Sequence, residues 1–348
     1  MTRVWSTPLA GGTEEGRWTG VPVVTQGLVL FGIRGGMAAF DTATGREVWR
    51  AKLWTNGNHA YGHIRTAADK ACLEDWPAVG CVDVATGRVL WARAIAASTA
   101  NCETAIDSSA WYIGTDSHMV YALDPANGQQ LWETDINPGA KFSSRVYGLA
   151  MSGDTLYATT VRLATEASNS NIGDLVGLER KTGMVLFTYT TPAKGGYQGH
   201  PTIKGRLAIM NDGYASSLVA IDRFALTEAW RTAADPSGYI NSETSPVLVG
   251  DTIFAASSDT QVYSVNANTG ALQWRVVALT HDSLGSLDVC GPLLLAVEFG
   301  GGYIIAVDRK SHESGILPSI PRDVHSRIGV ANGVAYFETT NAVAAYRC

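Results

Sequence analysis

The sequence predicts an all-β fold, an eight-bladed β-propeller of four-stranded antiparallel blades filling residues 1–348 as one domain, with seven blades as the alternative count. Three observations predict it. An acidic residue, a Thr-Gly or Asn-Gly turn and a strand carrying Trp recur as one phrase along the chain. The copies keep the length that four strands and their turns need in a propeller blade. The composition, 46% hydrophobic against 17% charged with 37 glycines, suits many short strands joined by tight turns.

The copies run in order from Asp41, Thr44-Gly45 and Trp49 through Asp83, Thr86-Gly87 and Trp91 to Asp124, Asn127-Gly128 and Trp132. They continue with Glu179, Thr182-Gly183 and Phe187, then Asp222 and Trp230, then Asn266, Thr269-Gly270 and Trp274. A degraded seventh copy runs from Asp308 to Leu317, and an eighth begins at Ala344-Ala345-Tyr346. Each phrase reads as a hairpin whose acidic side chain accepts bonds from the turn amides, while glycine supplies a positive φ. The Trp is then free to pack on the neighbouring blade. Successive Trp-equivalent positions lie 42, 41, 55, 43, 44 and 43 residues apart, and the long interval is read as a loop insertion over residues 162–173.

The eighth copy lacks an outer strand, and Arg3 to Thr7, with Trp5 placed 44 residues before Trp49, offers a spare one. The N-terminal strand is therefore expected to join the C-terminal blade, which removes the free edges of an open sheet.

This phrase, Asp-x-x-Thr-Gly-x-x-x-Trp, resembles the Trp-docking repeat of the quinoprotein-type propeller family, which includes the pyrroloquinoline-quinone dehydrogenases and the outer-membrane assembly lipoprotein. The resemblance covers nearly the whole chain and implies the fold; the family spans enzymes, scaffolds and sensors, so it does not fix function. Quinone dehydrogenases of this type hold their cofactor near a disulfide between adjacent cysteines. The sequence has no adjacent cysteines, which argues against bound quinone, and no cofactor is expected.

A formal charge of −6 with no run of Lys and Arg argues against nucleic acid and anionic membranes as partners. No stretch approaches the roughly 20 apolar residues of a membrane span. The first ten residues lack a signal peptide's apolar core, so the chain reads as cytoplasmic. Five cysteines include no Cys-x-x-Cys, and most read as buried thiols. Cys72 and Cys81 fall opposite each other if residues 70–83 form a hairpin.

In a propeller, the connections from each outer strand to the next inner strand gather at one mouth of the central channel. These segments hold five of the seven histidines, among them His63, His200, His281 and His325. The charged residues recur in matched pairs. His63-Ile64-Arg65 opens blade 2 and His325-Ser326-Arg327 opens blade 8; Asn101-Cys102-Glu103-Thr104 opens blade 3 and Asn241-Ser242-Glu243-Thr244 opens blade 6. Duplicated blades that inherit residues for structural bonds explain such pairs as well as a shared site does.

On the site reading, Arg65, Arg145 and Arg327 grip a small anion, because guanidinium groups bind carboxylate and phosphate bidentately. His63, His200, His281 and His325 act as general acid or base, with Glu103 or Glu243 orienting them. Tyr147, Tyr197 and Trp18 complete the wall. These residue types also suit a divalent metal, although no ligand spacing demands one. No phosphate loop, dinucleotide fingerprint or nucleophile elbow stands in the chain. The resulting expectation is a lyase, isomerase or cyclase working by acid–base chemistry on a small anionic substrate. The alternative is a non-catalytic propeller scaffold or sensor that binds a protein or peptide.

Overall fold

In a computed structural model, eight four-stranded antiparallel sheets follow one another around a ring. The structure describes residues 1–9, 20–54, 62–75, 78–95, 102–139, 144–163, 171–191, 195–213, 215–232, 245–278, 283–298, 300–317, 320, 323–324 and 326–348. Inner strands of blades 1 to 5 touch in succession, as do those of blades 6 to 8, and blade 5 meets blade 6 through the Thr202 bond to the Pro246 carbonyl. The inner strand of blade 8 (Gly329–Ala331) touches that of blade 1 (Val23–Thr25), which closes the circle. The count of eight is borne out. So is the closure, since Thr2–Pro8 forms the outer strand of blade 8 by pairing with Ala342–Arg347.

The recurring phrase folds as its chemistry dictates. Asp41 Oδ1 accepts the Thr44 amide at 2.8 Å and the Thr44 hydroxyl at 2.7 Å; Asp83 holds Thr86 in the same way at 2.9 and 2.6 Å. One step before each acid, the pairing of third and outer strands slips, between Ala39 and Phe40, Cys81 and Val82, Ala122 and Leu123, and again in blades 4 to 6. A repeated bulge of this kind increases the twist of every outer strand.

The tryptophans dock where the phrase sends them. Trp49 lies over Gly87, whose φ is +70°, and its indole N–H donates to the Val84 carbonyl at 2.8 Å. A Cβ on Gly87 would sit 2.6 Å from the ring, so only glycine both takes the turn conformation and clears the indole. Trp5, Trp91, Trp132 and Trp230 repeat the arrangement on Gly45, Gly128, Gly183 and Gly270.

Where the phrase is degraded, the dock changes. Leu226 takes the glycine position of blade 5 at φ 53°, and Phe187 replaces Trp in blade 4. His312 takes it in blade 7 at φ 61°, and Trp274 lies on its imidazole with centroids 4.7 Å apart. The outer strand there is Ser314–Ile316, so Ile316, not Leu317, ends the seventh copy.

The apolar layers lie between blades. Leu30, Met37 and Trp49 of blade 1 pack with Ile64, Ala71 and Val82 of blade 2, and Trp5 and Tyr336 of blade 8 pack with Phe31 and Phe40 of blade 1. Each seam thus buries side chains from two sheets, so no blade stands without its neighbours.

Two expectations need correction. The insertion in blade 4 is not all loop: its strands run Thr155–Leu163 and Asn171–Glu179, lengthening the hairpin instead. The cysteines are mostly not thiols. Cys72 bonds to Cys81 across facing strands of blade 2, Cys290 bonds to Cys348 between blades 7 and 8, and Cys102 is the free, buried one.

Candidate functional site in the central channel

At the inner strands lies a cavity of about 360 Å³, walled by Glu103, His200, Thr202, Ser245, Asp288 and Arg327 among others. Glu103 reaches it because of how its segment runs. The Glu103 amide donates to the Tyr147 carbonyl at 3.0 Å and the Leu149 amide donates to the Glu103 carbonyl at 2.8 Å, a parallel bridge opposite Gly148. Gly148 in turn abuts blade 5, where a Cβ would fall 2.3 Å from the His200 amide nitrogen. The close approach therefore needs glycine, and it brings His200 to the Glu103 carboxylate.

That carboxylate ties four blades together. His200 Nδ1 from blade 5 and the Ser245 hydroxyl from the start of blade 6 both bond to Oε2, while Arg327 from the start of blade 8 donates to Oε1 at 2.6 Å. Ser245 Oγ accepts the His200 amide at 2.8 Å and lies 2.8 Å from His200 Nδ1. Burial alone would raise the Glu103 pKa. The His200 imidazole and the Arg327 guanidinium prevail and hold it well below the usual carboxylate range. Glu103 is therefore an anion, and its ion-pair partner is Arg327.

His63 stands apart. It is 4% exposed, with Nδ1 3.2 Å from Glu74 Oε1 and 3.1 Å from the Cys102 carbonyl. Burial, with help from Arg327 and Arg65, pushes its pKa down to about 3, so the ring is neutral. Burial pushes the pKa of its neighbour Glu74 well above the usual carboxylate range. His63 is thus a buried imidazole whose desolvation disfavours its charged form.

The other expected residues divide. Arg65 donates to the Thr104 and Ile64 carbonyls at 2.8 and 3.1 Å, clamping blade 2 to blade 3. Arg145 lies 5.7 Å from the centre of the Tyr147 ring. Tyr197 is fully buried with Leu175 and Met210 in the layer between blades 4 and 5, away from the channel. Trp54 packs against blades 1 and 2 and donates to Asp75 at 3.1 Å. Trp18, Glu243, His281 and His325 lie outside the described residues. Sequence reasoning missed Ser245, Ser286 and Asp288, since nothing local distinguishes them from other inner-strand polar residues.

Glu103 and its partners reach across the channel, and neither disulfide joins adjacent cysteines. Among the described residues, no three His, Cys, Asp or Glu side chains are placed to share a metal ion.

Fold and site together define a PQQ-like repeat propeller whose channel is spanned by a saturated polar tie. A protein-family model described as outer membrane protein assembly factor BamB matches residues 2–162 and again 116–343, and the chain belongs to that family. The chain is 23% identical over 272 residues to outer membrane protein assembly factor BamB of Shewanella oneidensis, a match covering 74% of this chain and 62% of that protein. It is also 32% identical over 78 residues to polyvinylalcohol dehydrogenase of a Sphingopyxis strain, covering 22% of this chain but 12% of the enzyme. The chain thus spans less than two thirds of either relative.

Among solved structures, BamB from Moraxella catarrhalis superposes with a TM-score of 0.74 at 15% identity, over 100% of this chain and 97% of that one. A quinohemoprotein alcohol dehydrogenase from Pseudomonas putida gives 0.75 at 12% identity over 99% and 76%. Both likenesses concern fold alone. The expectation of a lyase, isomerase or cyclase is overturned: the family and its relatives are an assembly factor and dehydrogenases, and the scaffold alternative fits them better. The small anionic partner loses its support as well, because Arg327 is engaged by Glu103.

Proposed function

We propose that this chain is a non-catalytic propeller scaffold of the cell envelope that binds a protein partner. The observation that carries the reading is the Glu103 tie. Its carboxylate accepts from His200, Ser245 and Arg327, so the ionisable groups best placed for chemistry in the channel are spent on joining blades 3, 5, 6 and 8. A catalytic acid or base needs a pKa near working pH and a free face toward substrate; Glu103 has neither. Family membership supports the same reading, since the matching relative of greatest coverage is named an assembly factor.

Two features replace the cytoplasmic expectation. Relatives carry the words outer membrane in their names. The paired cysteines, Cys72 with Cys81 and Cys290 with Cys348, suit an oxidising compartment, because cytosolic thiols are kept reduced.

The test is photo-crosslinking in the native cell, with a photoreactive residue placed in turn at exposed positions around the ring, such as Val48, Phe224 and Val277. A scaffold gives discrete heavier adducts containing a second polypeptide at one sector of the ring and none at the opposite sector. Adducts at no position would overturn the reading.

A further inference from the structure

The outermost strand of each blade leaves one row of backbone N–H and C=O groups without a neighbouring strand. Proteins usually protect such edges with charge. Here every outer strand of five or more residues carries Lys, Arg, Asp or Glu, from Arg3 in Thr2–Pro8 to Arg275 in Leu272–Val277, with one exception. The exception is Val185–Thr190 of blade 4, whose sequence is Val-Leu-Phe-Thr-Tyr-Thr. It also begins beside the largest run of exposed apolar side chains among the described residues: Met184, Val185 and Leu186 are 57%, 40% and 47% exposed.

We propose that this strand pairs with its own copy in a second molecule, forming a two-fold symmetric dimer in which two blades 4 merge into one eight-stranded sheet. The composition of the strand selects the occupant. An uncharged edge is matched by an uncharged strand, and a two-fold axis through Thr188 sets Thr188 opposite Thr188, Phe187 opposite Tyr189 and Leu186 opposite Thr190. Thr–Thr, aromatic–aromatic and aliphatic–β-branched pairs are those that stabilise antiparallel strands, and no like charges meet. Thr188 is exposed and Phe187 and Tyr189 are half-buried, so pairing covers them further. The net charge of −6 on 348 residues is screened within about 8 Å at physiological salt and does not prevent the approach.

Sedimentation velocity on the full chain across a wide concentration range tests this. A reversible dimer is expected. Thr188→Lys sets two ammonium groups face to face on the axis and raises the dimer dissociation constant by more than about tenfold. Thr188→Val leaves it within about threefold of the parent. Both variants keep the parent's circular dichroism, which separates loss of pairing from loss of fold. Mild oxidation of Thr188→Cys gives a covalent dimer, whereas Thr227→Cys on the outer strand of blade 5 does not. A monomer at every concentration, or a dimer that Thr188→Lys leaves intact, overturns the proposal without touching the scaffold reading, which rests on the channel.

Discussion

At the scale of single residues, the buried acids of blade 2 mark where polar groups were placed at a cost. Asp75 is 5% exposed; one of its oxygens accepts from Trp54 and the other has no hydrogen-bond partner among the described residues. Burial pushes its pKa from 3.8 up to about 7, against the Trp54 bond. A carboxyl whose folded pKa lies above its unfolded value contributes its full stability below the unfolded value and loses it as pH rises through the folded one. The chain should therefore lose stability between pH 4 and about 7 through this group. Asp75→Asn removes the titration. Urea denaturation at pH 8 should find the variant more stable by on the order of 2 kcal/mol, with the gain gone near pH 4. A gain of equal size at both pH values would place the effect in packing and not in ionisation.

At the scale of elements, the unit of construction is the pairing of a tryptophan with the glycine turn of the next blade. Trp49→Ala removes a ring that is 8% exposed together with its bond to Val84, and should cost about 3–5 kcal/mol by thermal or urea unfolding. Phe187→Ala, at the seam where Leu226 has displaced the glycine, should cost about 1–2 kcal/mol, because that ring is half-exposed. Similar losses at the two positions would mean that the indole dock is not what holds neighbouring blades.

This unit is also why the fold was legible in the sequence. The acidic residue, the turn and the ring lie within nine residues, so local chemistry writes the hairpin directly. Legibility failed where the phrase decays: with His312 in the glycine position, the seventh copy's end was placed one residue late. It failed more in the channel. Glu103 was recognisable as the opening of an inner strand, but its partners lie 97, 142 and 224 residues further on. Those distances follow ring geometry and no sequence period, so Ser245 carried no signal. His63 matched His325 by motif, yet nothing local showed that it would be buried and its pKa pushed down to about 3. The cysteines divide in the same way: Cys72 and Cys81 face each other within one hairpin, whereas Cys290 and Cys348 meet across blades, 58 residues apart.

At the scale of the whole molecule, two devices close the ring. On the outside, Thr2–Pro8 completes blade 8, and at the seam the buried Cys290 at the end of blade 7's inner strand bonds to Cys348 of blade 8. In the centre, Glu103 joins blades that are not neighbours. On the scaffold reading this second device is a strut and not a catalytic group, and the pH dependence of its removal tests that most directly. A carboxylate whose pKa is depressed in the fold contributes stability above its unfolded pKa, and that contribution is lost as pH falls through the folded value. Glu103→Gln should therefore cost about 2–3 kcal/mol near pH 7, less than a fully buried pair because Arg327 remains 21% exposed, and the difference from the parent should shrink as pH falls below 4.5. The yield of partner adducts, measured at a temperature where the variant is folded, should be unchanged. A variant as stable as its parent at pH 7 would contradict the account.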